Sequence, residues 1–403
     1  MAVWLSAGVA VARLGAQEDW FEQVTHSLHV QSANGFFRSD LSGLFDLEGY
    51  YVDQRPPGLI FGDNQDFLNP RLTLFLDTRL GEHFYSLVEA RVDRGFDPRE
   101  KVRDARLDEY LLRYTPFTTG WVNLQAGKFP TAFGDWVPRR YSWDNPFINA
   151  PLPYENVTIV GDQAAPPSPA AFLARRNLAL RKEAWLPMIW GPSYASGASL
   201  FGTVDRWDYT LEVKNAPLSA RPDQWDGTER TWEAPTVTGR LAYRPNAAWN
   251  IGSSVSSGAY LQPAAASTLP AGTGIGDFRE LDVGEDVSFA WHRWQLWAEA
   301  IATRFDVPRV GNADTLGYYL EAKYEFGPRL FGALRWNQQF YGTVADGLGG
   351  QAPWGRDLWR TDAAVGYRLT RYLQTKVQYS YLRENGPLQQ GEQLVAAQVT
   401  LKF

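Results

Sequence analysis

Apolar and polar residues alternate with a period of two along much of the chain. In residues 71–80, Leu72, Leu74 and Leu76 alternate with Arg71, Thr73, Asp77 and Arg79. The next segment sets Phe84, Val88, Ala90 and Val92 against Glu89, Arg91 and Asp93. Near the C-terminus Leu373, Val377, Tyr379 and Tyr381 alternate with Lys376, Gln378 and Ser380. Successive side chains of a strand point to opposite faces, so this period predicts strands with one apolar and one polar face. A soluble sandwich alternates too, with its charged face in water. It rarely carries long apolar rows on strand after strand with so little helix between them.

The connections then set the topology. Short ones recur at Gly81-Glu82, around Thr118–Gly120, and at Asp205-Arg206, Asn246-Ala247, His292, Gly327-Pro328 and Thr370-Arg371. Between them lie longer stretches rich in Gly, Pro, Asp and Asn, at 54–68, 94–104, 216–231, 260–277, 306–314, 342–355 and 384–389. Short turns on one side and long loops on the other are the habit of transmembrane barrels, periplasmic and extracellular respectively. With strands from about residue 41 to 403, and 130–190 as one long outer loop, the two kinds alternate without a break. The pattern predicts an all-β, antiparallel up-and-down barrel of about sixteen strands, wide enough for an aqueous channel. An extra strand at 171–183 would break the alternation at Asp205; eighteen strands is the alternative count. The last strand alternates to its end, with Val395, Ala397, Val399, Leu401 and Phe403 on one face and Gln398, Thr400 and Lys402 on the other. Ending on Phe resembles the signal by which outer-membrane proteins are recognised for insertion.

Composition agrees. The 403 residues carry a net charge of -6, and mean hydropathy is -0.34, which a barrel tolerates because only every second strand residue meets lipid. Nothing approaches eighteen consecutive apolar residues, so no helical span is expected. Aromatics are 14% with 17 Trp, enough for interfacial girdles. The absence of cysteine excludes disulfides and thiolate metal sites. No cofactor, metal or nucleic-acid partner is expected. Residues 1–16 read as the remnant of a secretory signal, with Ala2–Ala12 as its apolar stretch. Residues 17–40 precede the first clear strand and are free to plug the channel, reach into the periplasm or meet a partner. The barrel itself is expected over 41–403, in the outer membrane of a Gram-negative bacterium.

Candidate chemistry concentrates in the 130–190 loop, since so long a loop in a compact protein is normally functional and a wide barrel has room for it. It carries Arg139, Arg140, Arg175, Arg176, Arg181 and Lys182 against Asp135, Asp144, Glu155, Asp162 and Glu183. Clustered guanidinium groups bind phosphate or carboxylate, and solvated loop charge is the plainer reading. The polar faces of the strands add Arg71, Arg79, Glu89, Arg91, Glu109, Arg113, Glu212, Lys214, Glu299, Glu321, Lys323, Arg335, Arg360, Arg368 and Lys376. An Arg or Lys facing lipid at mid-depth costs about 2–4 kcal/mol, so these must point inward whatever their role. The candidate constriction set is Arg139, Arg140, Arg175, Arg176, Arg181, Lys182, Lys128, Arg91, Arg113 and Glu109.

The run from Arg106 to Tyr114 (RLDEYLLRY), followed by Leu124 to Gly134 (LQAGKFPTAFG), resembles the phosphate-selective porins O and P. Asp286 to Glu299 (DVSFAWHRWQLWAE) is similar to a recurring hairpin of that family. The resemblance implies a sixteen-stranded, usually trimeric porin. It does not carry phosphate selectivity over, because no ladder of basic residues matches one by one. The resulting expectation is a passive diffusion channel for small hydrophilic solutes or ions, with anions preferred, embedded in outer-membrane lipid. Two rivals stand beside it. A non-conducting barrel would anchor or sheathe a partner protein. An enzyme barrel would need a nucleophile near one of His26, His29, His83 or His292, and no such pairing is visible, so no enzyme is expected.

Overall fold

The computed structural model describes residues 28–53, 66–93, 104–178, 184–222, 232–386 and 391–403. Its main sheet closes on itself through sixteen antiparallel strands. The first eight are β1 (Phe37–Val52), β2 (Asp66–Leu80), β3 (Phe84–Asp93), β4 (Asp104–Tyr114), β5 (Asn123–Phe129), β6 (Ala195–Val204), β7 (Trp207–Lys214) and β8 (Thr236–Asn246). The second eight are β9 (Trp249–Ala259), β10 (Arg279–Trp291), β11 (Trp294–Val307), β12 (Gly311–Glu325), β13 (Leu330–Tyr341), β14 (Leu358–Arg368), β15 (Leu373–Glu384) and β16 (Gly391–Lys402). Each pairs with its neighbours in sequence, and β1 pairs with β16 from Leu44↔Lys402 to Val52↔Leu394. Closure satisfies the backbone without water and removes sheet edges, which is what allows strands to cross a membrane.

The alternation is turned inside out relative to a soluble protein. Leu334, Leu320, Val365 and Val377 are exposed on the outer wall, at 66%, 54%, 54% and 57%. Their polar neighbours Glu321, Arg335, Asp362 and Lys376 are buried in the lumen. At the short-turn rim, Trp207–Tyr243, Trp249–Phe289 and Trp294–Tyr324 place their rings 4.5–4.7 Å apart, forming an aromatic girdle. An apolar belt bounded by such rings defines a membrane-spanning barrel.

β1 runs past the end of β16. Gly43 and Phe403 exchange both backbone hydrogen bonds, at 2.9 and 3.0 Å. Beyond them the short strand His29–Gln31 takes over, with His29 opposite Asp40, and covers the edge of β1 that would otherwise lie bare. The Phe403 ring lies over Gly43, where a Cβ would come within 2.4 Å of it.

One expected long loop is absent. Residues 306–314 are mostly strand, and β11 and β12 are joined by residues 308–310 alone. The polar residues there belong to strands reaching past the apolar belt, where Arg304 and Asp314 pair on the outer face at 2.6 Å. Nor do residues 171–178 form a strand: α1 (Pro169–Ala174) is a short helix capped by Ser168, and 179–183 lie outside the described residues. At the long-loop rim, α1, the ladder between Val157–Gly161 and Trp185–Pro187, and loops 260–278 and 342–357 share an apolar core. Phe172, Trp185, Tyr260, Phe305 and Trp354 lie at its centre, and Trp354 donates Nε1 to the Asp314 carbonyl at 2.7 Å.

Candidate functional site

The connection from β5 to β6 enters the lumen and is tied to wall strands in succession. Thr131 and the Ala132 amide bond to Glu212 of β7, and the Gly134 amide donates to Ser254 of β9 at 3.2 Å. Gly134 takes φ +74 and passes so close to Glu299 that a Cβ would clash with the carboxylate, so only glycine fits. Wall glycines give matching room: Phe133 sits on Gly284, and Pro153 and Met188 sit on Gly317. Tyr154 Oη then donates to Glu299 at 2.8 Å.

Arg139 and Arg140 lie on opposite sides of this ribbon. Arg139 pairs with Glu321 of β12 at 2.6 Å and stacks 4.1 Å above Trp297. Arg140 reaches the other way, to Glu109 and Glu89 of β4 and β3, with Tyr141 Oη donating to Glu89 at 2.8 Å. Burial disfavours the Arg139 cation, but the neighbouring Glu321 outweighs it and its pKa is raised. Burial pushes the Asp135 carboxyl up, with Arg139 pulling against it.

The next stretch is fastened to β13–β15. Lys376 Nζ donates to the carbonyls of Ser142, Asn145 and Phe147 at 2.7, 2.9 and 3.2 Å. Two residues along the same inward face, Gln378 accepts from the Ile148 amide and donates to Asn149, both at 2.6 Å. Arg335 donates to Asn149 Oδ1 at 2.7 Å, and Arg360 pairs with Glu155 at 2.9 Å. Buried ion pairs of this kind cost desolvation, so their value lies in fixing one path for the loop.

The loop fills the β7–β15 side and leaves a void of about 180 Å³ toward β1–β3. Asp46, Arg71, Thr73, Arg91, Arg140, Tyr141, Ser142, Asn145, Asn149 and Gln398 are among its lining. Its charged groups are unevenly presented. The Arg71, Arg91 and Arg140 side chains keep 22%, 15% and 9% of their surface exposed. Their partners Asp46, Glu48, Glu89 and Asp108 keep 2% or less, and Glu109 keeps 5%. Arg71 bonds to Asp46 and Glu48 at 3.0 and 2.7 Å, and Arg91 to Glu89 and Asp108 at 3.1 Å each. Guanidinium groups therefore present more surface to the void than the carboxylates, of which Asp46 also lines it.

Of the candidates named from the sequence, Arg91, Glu109 and Arg140 meet at this void or directly behind it, and Arg139 anchors the far side of the loop. Arg113 lies in the wall between the Tyr85 and Phe201 rings and donates to Gln125 at 2.8 Å. Lys128 is buried, with its ammonium on the Leu107 carbonyl at 2.7 Å. Arg175 and Arg176 belong to the apolar cap, donating to the Ile159 and Leu173 carbonyls at 3.0 Å. Arg181 and Lys182 lie outside the described residues. Arg71 and Lys376 were recognised only as inward-facing charges. Their importance comes from what lies across the lumen, which no local pattern reveals.

A closed sixteen-stranded barrel with an apolar belt and a long loop folded into its lumen belongs to the class of outer-membrane-type barrels. Solved structures agree on the fold. The chain is similar to the outer-membrane channel DcaP of Acinetobacter baumannii (TM-score 0.58, 12% identity, 93% of this chain and 99% of that one). It is also similar to OmpF of Salmonella typhi in complex with daunomycin (TM-score 0.56, 14% identity, 93% and 100%). A third likeness is to a loop-deletion mutant of OmpT, an outer-membrane protein of Vibrio cholerae (TM-score 0.55, 9% identity, 91% and 100%). No family model and no curated protein sequence matches the chain.

Proposed function

We propose that the chain is an outer-membrane porin of a Gram-negative bacterium: a passive channel for small hydrophilic solutes or ions, mildly anion-preferring, working as a homotrimer. The observation that carries this reading is the void beside the loop, where Arg71, Arg91 and Arg140 keep more exposed surface than the carboxylates they pair with. Fixed charge at a narrow point sets ion selectivity. The order of loop attachments also fits a constriction of constant shape, as a size filter requires. Among the described residues, His29 pairs with Asp40 at the rim, His83 bonds to the Thr115 carbonyl and His292 occupies a turn, so none lines the void.

The porin O and P resemblance fits the way the GKFP segment leads into the lumenal loop, and phosphate is accordingly the first anion to try. One observation favours the alternative of a non-conducting anchor or sheath: the loop spans the lumen and leaves little open space at the constriction. Recording from the purified protein in planar bilayers separates the two. Stable current steps, with a reversal potential in a salt gradient displaced toward the chloride equilibrium value, are expected. Silence at every voltage would overturn the porin reading.

A further inference from the structure

Three residues that line the void carry a buried polar atom with no partner in the protein: Trp136 at Nε1, Asn149 at Nδ2 and Gln398 at Oε1. The residues are 5%, 5% and 2% exposed. Bonds at the other end of each amide fix which atom is left over. Asn149 Oδ1 accepts from Arg335 at 2.7 Å and from Gln378 at 2.6 Å, so its nitrogen is the idle group. Gln398 Nε2 donates to Glu48 at 2.7 Å, so its oxygen is the idle one. The Trp136 ring packs 4.8 Å from Tyr154, and its N–H finds no acceptor. Buried polar groups are nearly always bonded, and leaving one unmet is costly, so such atoms mark where something outside the chain bonds.

The charged groups beside them are already matched. Arg71 pairs with Asp46 and Glu48, Arg91 with Glu89 and Asp108, and Arg140 with Glu89 and Glu109. What the void leaves unmet is therefore uncharged: two donors from the loop and one acceptor from β16. An inorganic anion meets the donors but brings no proton to Gln398 Oε1, and a metal cation does the reverse. A hydroxyl group both donates and accepts. Water does so too, but Leu44, Ile148 and Pro192 line the same void and give water nothing to bond, whereas they suit a carbon skeleton. Each water-sized group needs about 10–15 Å³ of such space, so about 180 Å³ holds about a dozen, the non-hydrogen atoms of a hexose.

We propose that the void is a binding site for a neutral polyhydroxylated solute the size of a hexose. Trp136 and Asn149 donate to its hydroxyl oxygens from the loop, and Gln398 accepts a hydroxyl proton on the wall. The exposed edges of Arg71 and Arg91 add N–H groups that donate to further hydroxyls without needing a charge in return. This names a substrate class for the channel and rests on the porin reading above.

Glucose is the probe, tested on the full chain in two ways. Calorimetry in mild detergent reads binding whether or not the barrel conducts, and single-channel recording with glucose on one side reads block. Saturable heat and reversible current interruptions with the same half-saturation are expected. Trp136→Phe removes the idle N–H, which no group of the protein uses, and is expected to weaken glucose binding at least fivefold. Gln398→Met, which also gives up the bond to Glu48, serves as the second variant if Trp136→Phe fails to fold, with heat-modifiable gel mobility as the check. Glucose that neither binds nor blocks while ions still pass would mean a void holding water only, and would overturn the site but not the porin reading. A silent barrel that binds glucose, with the loss in Trp136→Phe, would overturn the porin reading and keep the site. Unchanged affinity in a folded Trp136→Phe, or phosphate binding in place of glucose at equal ionic strength, would overturn the proposal.

Discussion

Replacing Arg71 with Gln tests the proposed origin of selectivity. Arg71 is the most exposed of the three guanidinium groups at the void, and Gln keeps part of its bonding to Asp46 and Glu48. A void of about 180 Å³ corresponds to a sphere of about 3.5 Å radius, which puts a centred ion about 6 Å from the charge once wall atoms are included. At that range in water one unit charge contributes about 0.7 kcal/mol, falling to about 0.4 kcal/mol in 0.1 M salt, where the Debye length is about 10 Å. Anions lose that attraction and cations lose the matching repulsion, so the anion-to-cation permeability ratio should fall about fourfold. In 1 M salt, with a Debye length of about 3 Å, the same change should move the ratio only about 1.4-fold. Reversal potentials across a threefold salt gradient, at low and high mean salt, read both values. An unchanged ratio at low salt would refute the argument, as would an effect that does not fade with salt.

Two further outcomes follow from how the loop is held. Lys376→Met removes the donor to three loop carbonyls, and charge-assisted bonds of this kind are worth about 1.5–3 kcal/mol each before water replaces them. Open-channel noise and mean conductance should both rise, and a quiet channel of wild-type size would show that Lys376 does not hold the constriction. Gly284→Val would drive a side chain into the Phe133 ring, 2.8 Å from the Cβ position, at a cost of about 1–3 kcal/mol. The urea midpoint of the refolded barrel should drop accordingly, and no change would mean that Phe133 is not seated there.

The strand pattern was legible because lipid and lumen impose opposite demands on alternate residues, so the period shows in every segment. The one misplaced loop, 306–314, has a physical reason. Strands β11 and β12 continue beyond the lipid, where an outward Arg304 or Asp314 costs little and a strand reads like a polar loop. The long β5–β6 connection was likewise visible, because a single loop at 130–190 keeps short and long connections alternating.

Its chemistry was not. Arg139 and Arg140 are adjacent and alike in sequence, yet one is bound to β12 and the other to β3 and β4. Arg175 and Arg176 looked equally suited to the lumen but sit with the cap around α1. By itself the sequence determined the barrel, its strand number and which side of each strand is polar, because these follow from local alternation and connection length. Only the tertiary structure decided which charges neutralise one another and which keep a face toward the void. That depends on contacts between separate strands and between strand and loop, from Arg71 with Asp46 to Arg360 with Glu155, and no local period records them.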